Sequence, residues 1–154
     1  MIAINLVGIR ILSQYRNRVN FWSHLQVLTE FFANEIRYTA DVPQKILIRF
    51  LEQYPHSSWP SHVDFCGDFH QIFGRLIRTS VHDLGITTEQ MKIIDGFSMG
   101  IGISDVEGQL LHCSNYSQQF RTIRERAEQE RQTKGKLYQR LCVLASAGAT
   151  VMLL

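Results

Sequence analysis

The sequence predicts an all-α protein, and three observations carry that prediction. Apolar residues recur at three- and four-residue spacing, which is the period of one face of an α-helix. Helix start signals stand before these stretches, and no segment alternates apolar and polar residues as a half-buried strand does. The chain has 154 residues, of which 45% are hydrophobic, enough for one domain with a core. We expect a bundle of about five to six helices.

The first two helices are predicted before residue 55. The first covers about residues 16–39. Its apolar stripe is Phe21, Leu25, Leu28, Phe32 and Ile36. Asp41 and Pro43 then mark the start of the second helix, because aspartate is a good N-cap and proline fits the first turn. That helix should end near Tyr54.

A loop at residues 55–61 separates these helices from a third and a fourth. The loop is rich in proline, serine and histidine, which punctuate regular structure. The third helix is predicted over residues 63–84. Thr87 or Thr88 can cap the fourth, which should run into the glycines after residue 99.

The fifth helix has the clearest start signal in the chain. Ser104 as N-cap and Glu107 three residues later fit a capping box, and Asp105 lies in the first turn, where an anion favours the helix dipole. The predicted apolar stripe is Val106, Leu110, Cys113, Phe120, Ile123 and Ala127. The helix can run towards the uncharged tail, with Gly135 the only weak joint before it.

The chain ends in an uncharged stretch that follows Arg140. Between residues 113 and 141, seven Arg or Lys stand against three Glu, as the positive-inside rule expects of a cytoplasmic flank. We predict that residues 135–154 form a C-terminal transmembrane helix, with Lys136, Tyr138 and Arg140 at the membrane interface. Hydropathy leaves one alternative open, a helix buried in a soluble bundle.

Residues 1–15 form a short apolar N-terminal segment that contains Arg10 and is too short to cross a bilayer alone. It could be part of a membrane span that begins upstream, or an amphipathic lead-in to the first helix. The predicted organisation is therefore this segment, a cytoplasmic helical bundle over residues 16–134, and the terminal membrane helix. Three cysteines without paired spacing suit a reducing compartment.

No pattern of chemically active side chains predicts catalysis. His62, Cys66 and His70 could share one helix face, but three such ligands span about 12 Å, too far to meet at one ion. Cys113 lies on an apolar stripe, which is typical of a core thiol rather than a nucleophile. The Glu-x-x-His pairs of di-metal bundles are missing from the sequence.

Ligand-binding patterns are missing as well. No glycine run is followed by the Lys-Ser or Lys-Thr of a phosphate-binding loop. The basic helix has no aromatic platform on which nucleic-acid bases could stack. We therefore expect a protein that is not an enzyme, uses no cofactor or metal, and binds neither nucleic acid nor a small-molecule substrate.

Three blocks of the chain stand in the order and spacing of a known family. The first is residues 28–43, with Glu35, Ile36 and Tyr38. The second is MGIGISDVEGQ at residues 99–109, and the third runs from residue 127 through GKLYQRLCVLASAGATVMLL. On these blocks the chain resembles the stage III sporulation protein AB family, which is similar to the helical platform domains of type II secretion and type IV pilus systems.

The resemblance implies a structural role at a membrane. It implies a platform subunit of a secretion-like channel between mother cell and forespore, in the membrane around the forespore. A cytoplasmic ATPase and other channel subunits are the implied partners.

Five polar residues carry over as candidates for partner contacts or, alternatively, for helix capping: Glu35, Ser104, Asp105, Glu107 and Gln109. Two other functions stay open. One is a tail-anchored helical adaptor unrelated to sporulation, and the other is a soluble bundle enzyme with a carboxylate metal site.

Overall fold

Five helices make up the computed structural model, and no strand occurs among the residues that it describes. The helices are α1 (Ile2–Tyr38), α2 (Pro43–Gln53), α3 (Phe69–Ser80), α4 (Thr88–Gly100) and α5 (Val106–Met152). The structure describes residues 2–56, 59–60 and 62–152, without the side chains of 2–9, 139, 142–143 and 145–152. The predicted all-α class is confirmed.

The longest helices, α1 and α5, pair in antiparallel directions. Arg18 Nη1 lies 3.4 Å from Glu130 Oε2. Further towards the start of α1, a β-carbon added to Gly135 would lie 3.8 Å from Leu12 Cδ2. Because the numbers fall along α1 as they rise along α5, the start of α1 and the end of α5 lie at one end of the molecule. With 37 and 47 residues, the two helices are about 56 and 70 Å long.

The first long helix extends further than the sequence predicts, and the second runs through the predicted weak joint. α1 begins at Ile2 instead of residue 16, and α5 passes Gly135 without a break. Among the described residues, no helix is long and apolar enough to cross a bilayer, so the predicted transmembrane helix at 135–154 is not supported. Residues 153–154 lie outside the description. The predicted boundaries of the helical bundle, after residue 15 and after residue 134, stay a prediction.

An aromatic core joins α1, α3, α4 and α5 at the ring of Phe97. Its centroid lies 6.0 Å from Phe32, 5.8 Å from Phe73 and 6.0 Å from Phe120. All four rings are buried, and such edge and tilted contacts are favourable beyond the burial of area. The predicted α1 stripe is confirmed, because its five residues are all buried.

Two of the shorter helices begin at side-chain caps. The Thr87 hydroxyl accepts from the Gln90 backbone N–H, and the Gln90 side chain accepts from the Thr87 backbone N–H, which confirms the predicted start of α4. α3 begins at Phe69 instead of residue 63, because Asp68 Oδ1 accepts from the Gln71 N–H at 2.8 Å. The predicted third helix is therefore too long by several residues.

The long connection between α2 and α3 is anchored on α1 by a group of rings. The buried Trp59 ring lies 6.2 Å from Phe21 and 6.4 Å from His24. The ring of His56 lies 3.9 Å from that of His24. Burial lowers the pKa of His24, with the charge of His56 adding to the effect, and burial also lowers the pKa of His56.

Two glycines let α5 approach α4 closely. Gly96 and Gly100 are four residues apart and face Tyr116 and His112, which are also four apart. A β-carbon at Gly96 would overlap the Tyr116 hydroxyl, and one at Gly100 would overlap the His112 ring. His112 Nε2 donates to the Phe97 carbonyl at 2.9 Å. The glycines therefore serve helix packing at this contact.

This packing predicts opposite effects for two glycine-to-alanine changes. Gly100→Ala should lower the free energy of unfolding by about 1–3 kcal/mol, because the His112 ring must move from its place on Phe97. Gly135→Ala meets only ordinary contact with Leu12, so it should raise that free energy by roughly 0.5–1 kcal/mol. Urea unfolding followed by circular dichroism measures both. Equal effects at the two sites would contradict the proposed close approach.

The histidine pair predicts a pH dependence of stability. Because the pKa values of His24 and His56 are below the ordinary 6.5 in the fold, protonation favours the unfolded chain. The stabilisation should be complete above about pH 6.5 and should be lost as the pH falls below it. Urea unfolding between about pH 7.5 and 5.5 tests this. His24→Gln should flatten the profile, whereas His62→Gln, at an exposed site, should leave it unchanged.

Candidate functional site

The five candidate contact residues come together at one end of the bundle. This end, called the capped end below, consists of residues 35–43 and 101–109. Its two segments touch, because Pro43 Cγ would lie 3.3 Å from a β-carbon at Gly102. It lies opposite the end where α1 starts and α5 finishes, because the two long helices are antiparallel.

Glu35 belongs to an ion cluster that joins α1 to α2. Arg49 Nη2 donates a hydrogen bond to Asp41 Oδ2 at 2.6 Å. The same nitrogen forms an ion pair with Glu35 Oε2 at 2.7 Å, but the angles of that contact are not those of a hydrogen bond. The predicted cap role of Asp41 is wrong, since its carboxylate is bound to Arg49 and the N-cap of α2 is Val42. All three charged side chains are partly buried. Glu35 thus has a structural partner that the sequence pattern did not reveal.

The start of α5 is capped by Asp105, one residue later than predicted. Asp105 Oδ1 accepts from the Gly108 backbone N–H at 2.9 Å, and α5 begins at Val106. The predicted capping box of Ser104 and Glu107 is therefore wrong. Asp105 instead takes the cap position, where its negative charge also favours the positive end of the helix dipole.

Gln109 holds the α4–α5 loop in place. Its Nε2 donates to the Ser104 carbonyl at 2.8 Å, and its Oε1 accepts from the Gly102 N–H at 3.3 Å. Gly102 has a φ of 84°, a left-handed conformation that glycine adopts without strain. A β-carbon at Gly108 would lie 2.7 Å from Ser104 Oγ. Gln109, Ser104 and Gly108 therefore fix the loop geometry.

Glu107 has a different environment from the other candidates. It is exposed, and its side chain makes no hydrogen bond or ion pair with any residue that the structure describes. Exposed apolar side chains share the capped end with it, and we call them the apolar cluster. They are Tyr38 (79% exposed), Val42 (55%), Ile103 (78%) and Val106 (48%). Val106 belongs to the predicted apolar stripe of α5, but the first fully buried residue of that helix is Cys113.

The charge around the α4–α5 loop is acidic. Between Lys92 and Arg121 the sequence contains no Lys or Arg, whereas it contains the acidic residues Asp95, Asp105 and Glu107. The seven basic residues of α5 all follow from Arg121 onwards. The capped end therefore presents apolar groups beside carboxylates on its α4–α5 side.

Other candidate chemistry is not assembled in the described part of the chain. His62 and Cys66 are exposed in the loop before α3, so they share no helix face with His70, whose Nδ1 lies 2.6 Å from Ser98 Oγ. Among the described residues, no three His, Cys, Asp or Glu side chains form a metal-sized group. Burial raises the pKa of Cys113 to about 12, which keeps it a thiol.

The residues predicted at a membrane interface lie near the end of α5. Lys136 and Arg140 are exposed, and Tyr138 is half-buried. No ion pair involves these two cations among the residues that the structure describes. Their position at an interface stays a prediction.

The structure predicts different effects for the capping residue and its exposed neighbour. Asp105→Ala should lower the free energy of unfolding by about 1 kcal/mol, because it removes the bond to the Gly108 N–H. Asp105→Asn should retain most of that stability. Glu107→Gln should change it by less than about 0.5 kcal/mol, as expected at a surface without partners. Chemical denaturation tests all three, and a larger loss for Glu107→Gln than for Asp105→Ala would reverse the assignment.

The comparisons with known proteins identify the family. The sequence model described as Stage III sporulation protein AB matches residues 1–154, the whole chain. No curated protein and no solved structure gives a significant match. The family match agrees with the resemblance of the three sequence blocks and extends it to the stretch between them. The chain belongs to the stage III sporulation protein AB family.

Proposed function

We propose that this protein is a membrane-associated platform subunit of a secretion-like sporulation channel between mother cell and forespore. In this role it couples to a partner ATPase through the capped end. The family match over the whole chain supports a role in sporulation. The observation that carries the choice of surface is the exposed apolar cluster beside an unpaired Glu107.

The apolar cluster has the properties of a protein contact surface. Exposed apolar patches on folded proteins commonly mark interaction sites, and the two segments that carry these side chains meet at Pro43 and Gly102. Here Ile103 and Val106 lie on a loop and helix start that Gln109 and Asp105 hold by hydrogen bonds. A surface held in this way loses little conformational entropy when a partner binds.

The charge on the α4–α5 side of the capped end favours one kind of partner surface. Asp105 and Glu107 flank the apolar side chains on α5, and no Lys or Arg follows Lys92 before Arg121. A partner that presents apolar groups beside Lys or Arg would complement this surface. Complementary charge of this type raises the association rate and selects the partner.

The two ends of the molecule suit different partners. In this proposal the uncharged sequence after Arg140 contacts the membrane and the other channel subunits. The capped end then lies most of the length of α1, about 56 Å for 37 residues, from the end that contacts the membrane. A cytoplasmic ATPase could reach it there without approaching the bilayer.

Neither alternative function gains a specific observation. A tail-anchored adaptor outside sporulation does not agree with membership of a sporulation family. A carboxylate metal enzyme would need converging acids, whereas Glu35 and Asp41 both face Arg49.

Gene replacement in the endospore-forming host tests the proposal. Deletion should abolish heat-resistant spores and leave vegetative growth normal. Ile103→Asp combined with Glu107→Gln should reproduce the deletion at normal protein level, because it puts a charge in the apolar cluster and removes the unpaired carboxylate. It should also abolish co-purification of the ATPase.

The matched control is Phe65→Asp. Phe65 is 39% exposed in the loop before α3, outside the capped end, so this variant should sporulate normally. Normal spores from the deletion strain would refute the sporulation role. Normal spores from the double variant, in a host whose deletion fails, would refute only the contact surface.

A further inference from the structure

A basic groove lies between α1 and α5, on the side of the molecule away from the capped end. It is an open cleft of about 610 Å³ where the two long helices run side by side. Its polar lining is Ser13, Arg16, Arg131, Gln132 and Lys136. Three cations and two neutral hydrogen-bonding side chains therefore face one opening, without a carboxylate in its lining.

The cations of the groove differ in how they are paired. Arg131 Nη2 donates to Glu128 Oε1 at 2.7 Å, and its Nε donates to Glu128 Oε2 at 2.9 Å. The side chains of Arg16 and Lys136 make no ion pair or hydrogen bond with any part of the chain that is described. The nearby Glu130 lies against Arg18 instead. The groove thus holds two uncompensated positive charges and a third that one neighbouring carboxylate neutralises.

The groove lies where the charged part of the helix pair gives way to an apolar part. Beyond it, α1 continues towards Ile2 with Arg10 as its only charged residue, and α5 continues beyond Arg140 without charge. Both helices run in that direction for about 20 Å, given their rise per residue. An anion in the groove would therefore lie beside the apolar parts of both helices.

We propose that this groove binds a phosphate-bearing anion. Arg16 offers a planar fork that pairs with phosphate oxygens, Arg131 offers the guanidinium N–H groups that its pair with Glu128 leaves open, and Lys136 adds a point charge. Ser13 and Gln132 supply neutral donors. A phospholipid headgroup and a free phosphate compound present the same chemistry, and the apolar flank of the groove favours the headgroup.

Binding of phosphate probes to the full chain tests this site. The protein is purified in a neutral detergent, and native mass spectrometry follows its binding of phosphatidylglycerol, phosphatidylcholine or inorganic pyrophosphate. We expect phosphatidylglycerol to bind more tightly than phosphatidylcholine. Arg16→Gln combined with Lys136→Gln should weaken phosphatidylglycerol binding about 30-fold, since each surface cation contributes about fivefold.

The matched control removes the same charge elsewhere. Arg37→Gln with Lys45→Gln changes two exposed cations whose side chains make no ion pair among the described residues, and Arg37 lies about 32 Å along α1 from Arg16, beyond the screening length of physiological salt. Its affinity should stay within about twofold of the original. Equal weakening in both double variants, or binding of neither anionic probe, overturns the site.

The pyrophosphate arm identifies the source of the phosphate. Pyrophosphate that displaces phosphatidylglycerol and binds with its affinity supports a groove for soluble phosphate compounds. Phosphatidylglycerol binding that pyrophosphate does not displace supports a headgroup site. Both outcomes retain the phosphate chemistry, provided that the groove variant loses the binding.

A gain of binding gives a second, independent test. Glu128→Gln removes the carboxylate that neutralises Arg131 and should strengthen phosphatidylglycerol binding about fivefold. A purely structural Glu128–Arg131 pair predicts no gain. Unchanged or weaker binding, in a variant with unchanged circular dichroism, would contradict the role of Arg131 in the groove.

Discussion

The antiparallel pairing of α1 and α5 is the constraint on which the rest of the structure depends. It joins residues more than 100 positions apart, such as Arg18 and Glu130, and so places the start of α1 and the end of α5 at one end of the molecule. α4 reaches this pair through Phe97, whose ring contacts Phe32 on α1 and Phe120 on α5. The three shorter helices therefore extend a core that the long pair begins, instead of forming a core of their own.

The pairing also separates two surfaces of opposite charge. The acidic start of α5 and its basic second half lie far apart on one long helix. The apolar cluster with Glu107 belongs to the acidic end, and the groove around Arg16 and Lys136 lies towards the other end. Because helices this long behave as stiff rods, the distance between the surfaces follows from the number of residues between them. A partner protein bound at one end is therefore held away from a ligand bound at the other end.

The sequence predicted local features well where the residues of a single helix determine burial or capping. The buried α1 stripe and the Thr87 capping box follow from spacing and side-chain chemistry alone. Asp41 and Asp105 show the limit of that method, because both can cap a helix. Their roles depend on Arg49, which lies eight residues beyond Asp41, and on the loop that Gln109 holds. The spacing of Gly96 and Gly100 does not by itself indicate a role for them. The side chains that require glycine there, Tyr116 and His112, lie on another helix.

The register of the long pair can be measured directly by disulfide cross-linking of the full chain. In a Cys66→Ser, Cys142→Ser background, Leu12→Cys with Gly135→Cys should form an intramolecular disulfide rapidly on mild oxidation, because Leu12 Cδ2 lies 3.8 Å from the position of a β-carbon at Gly135. Leu12→Cys with Arg126→Cys is the control, since its second cysteine is displaced by about 14 Å along α5. Rapid cross-linking of the first pair alone is the result that the account predicts. Failure of that pair, or faster cross-linking of the control, would contradict the antiparallel register and the positions of both proposed surfaces.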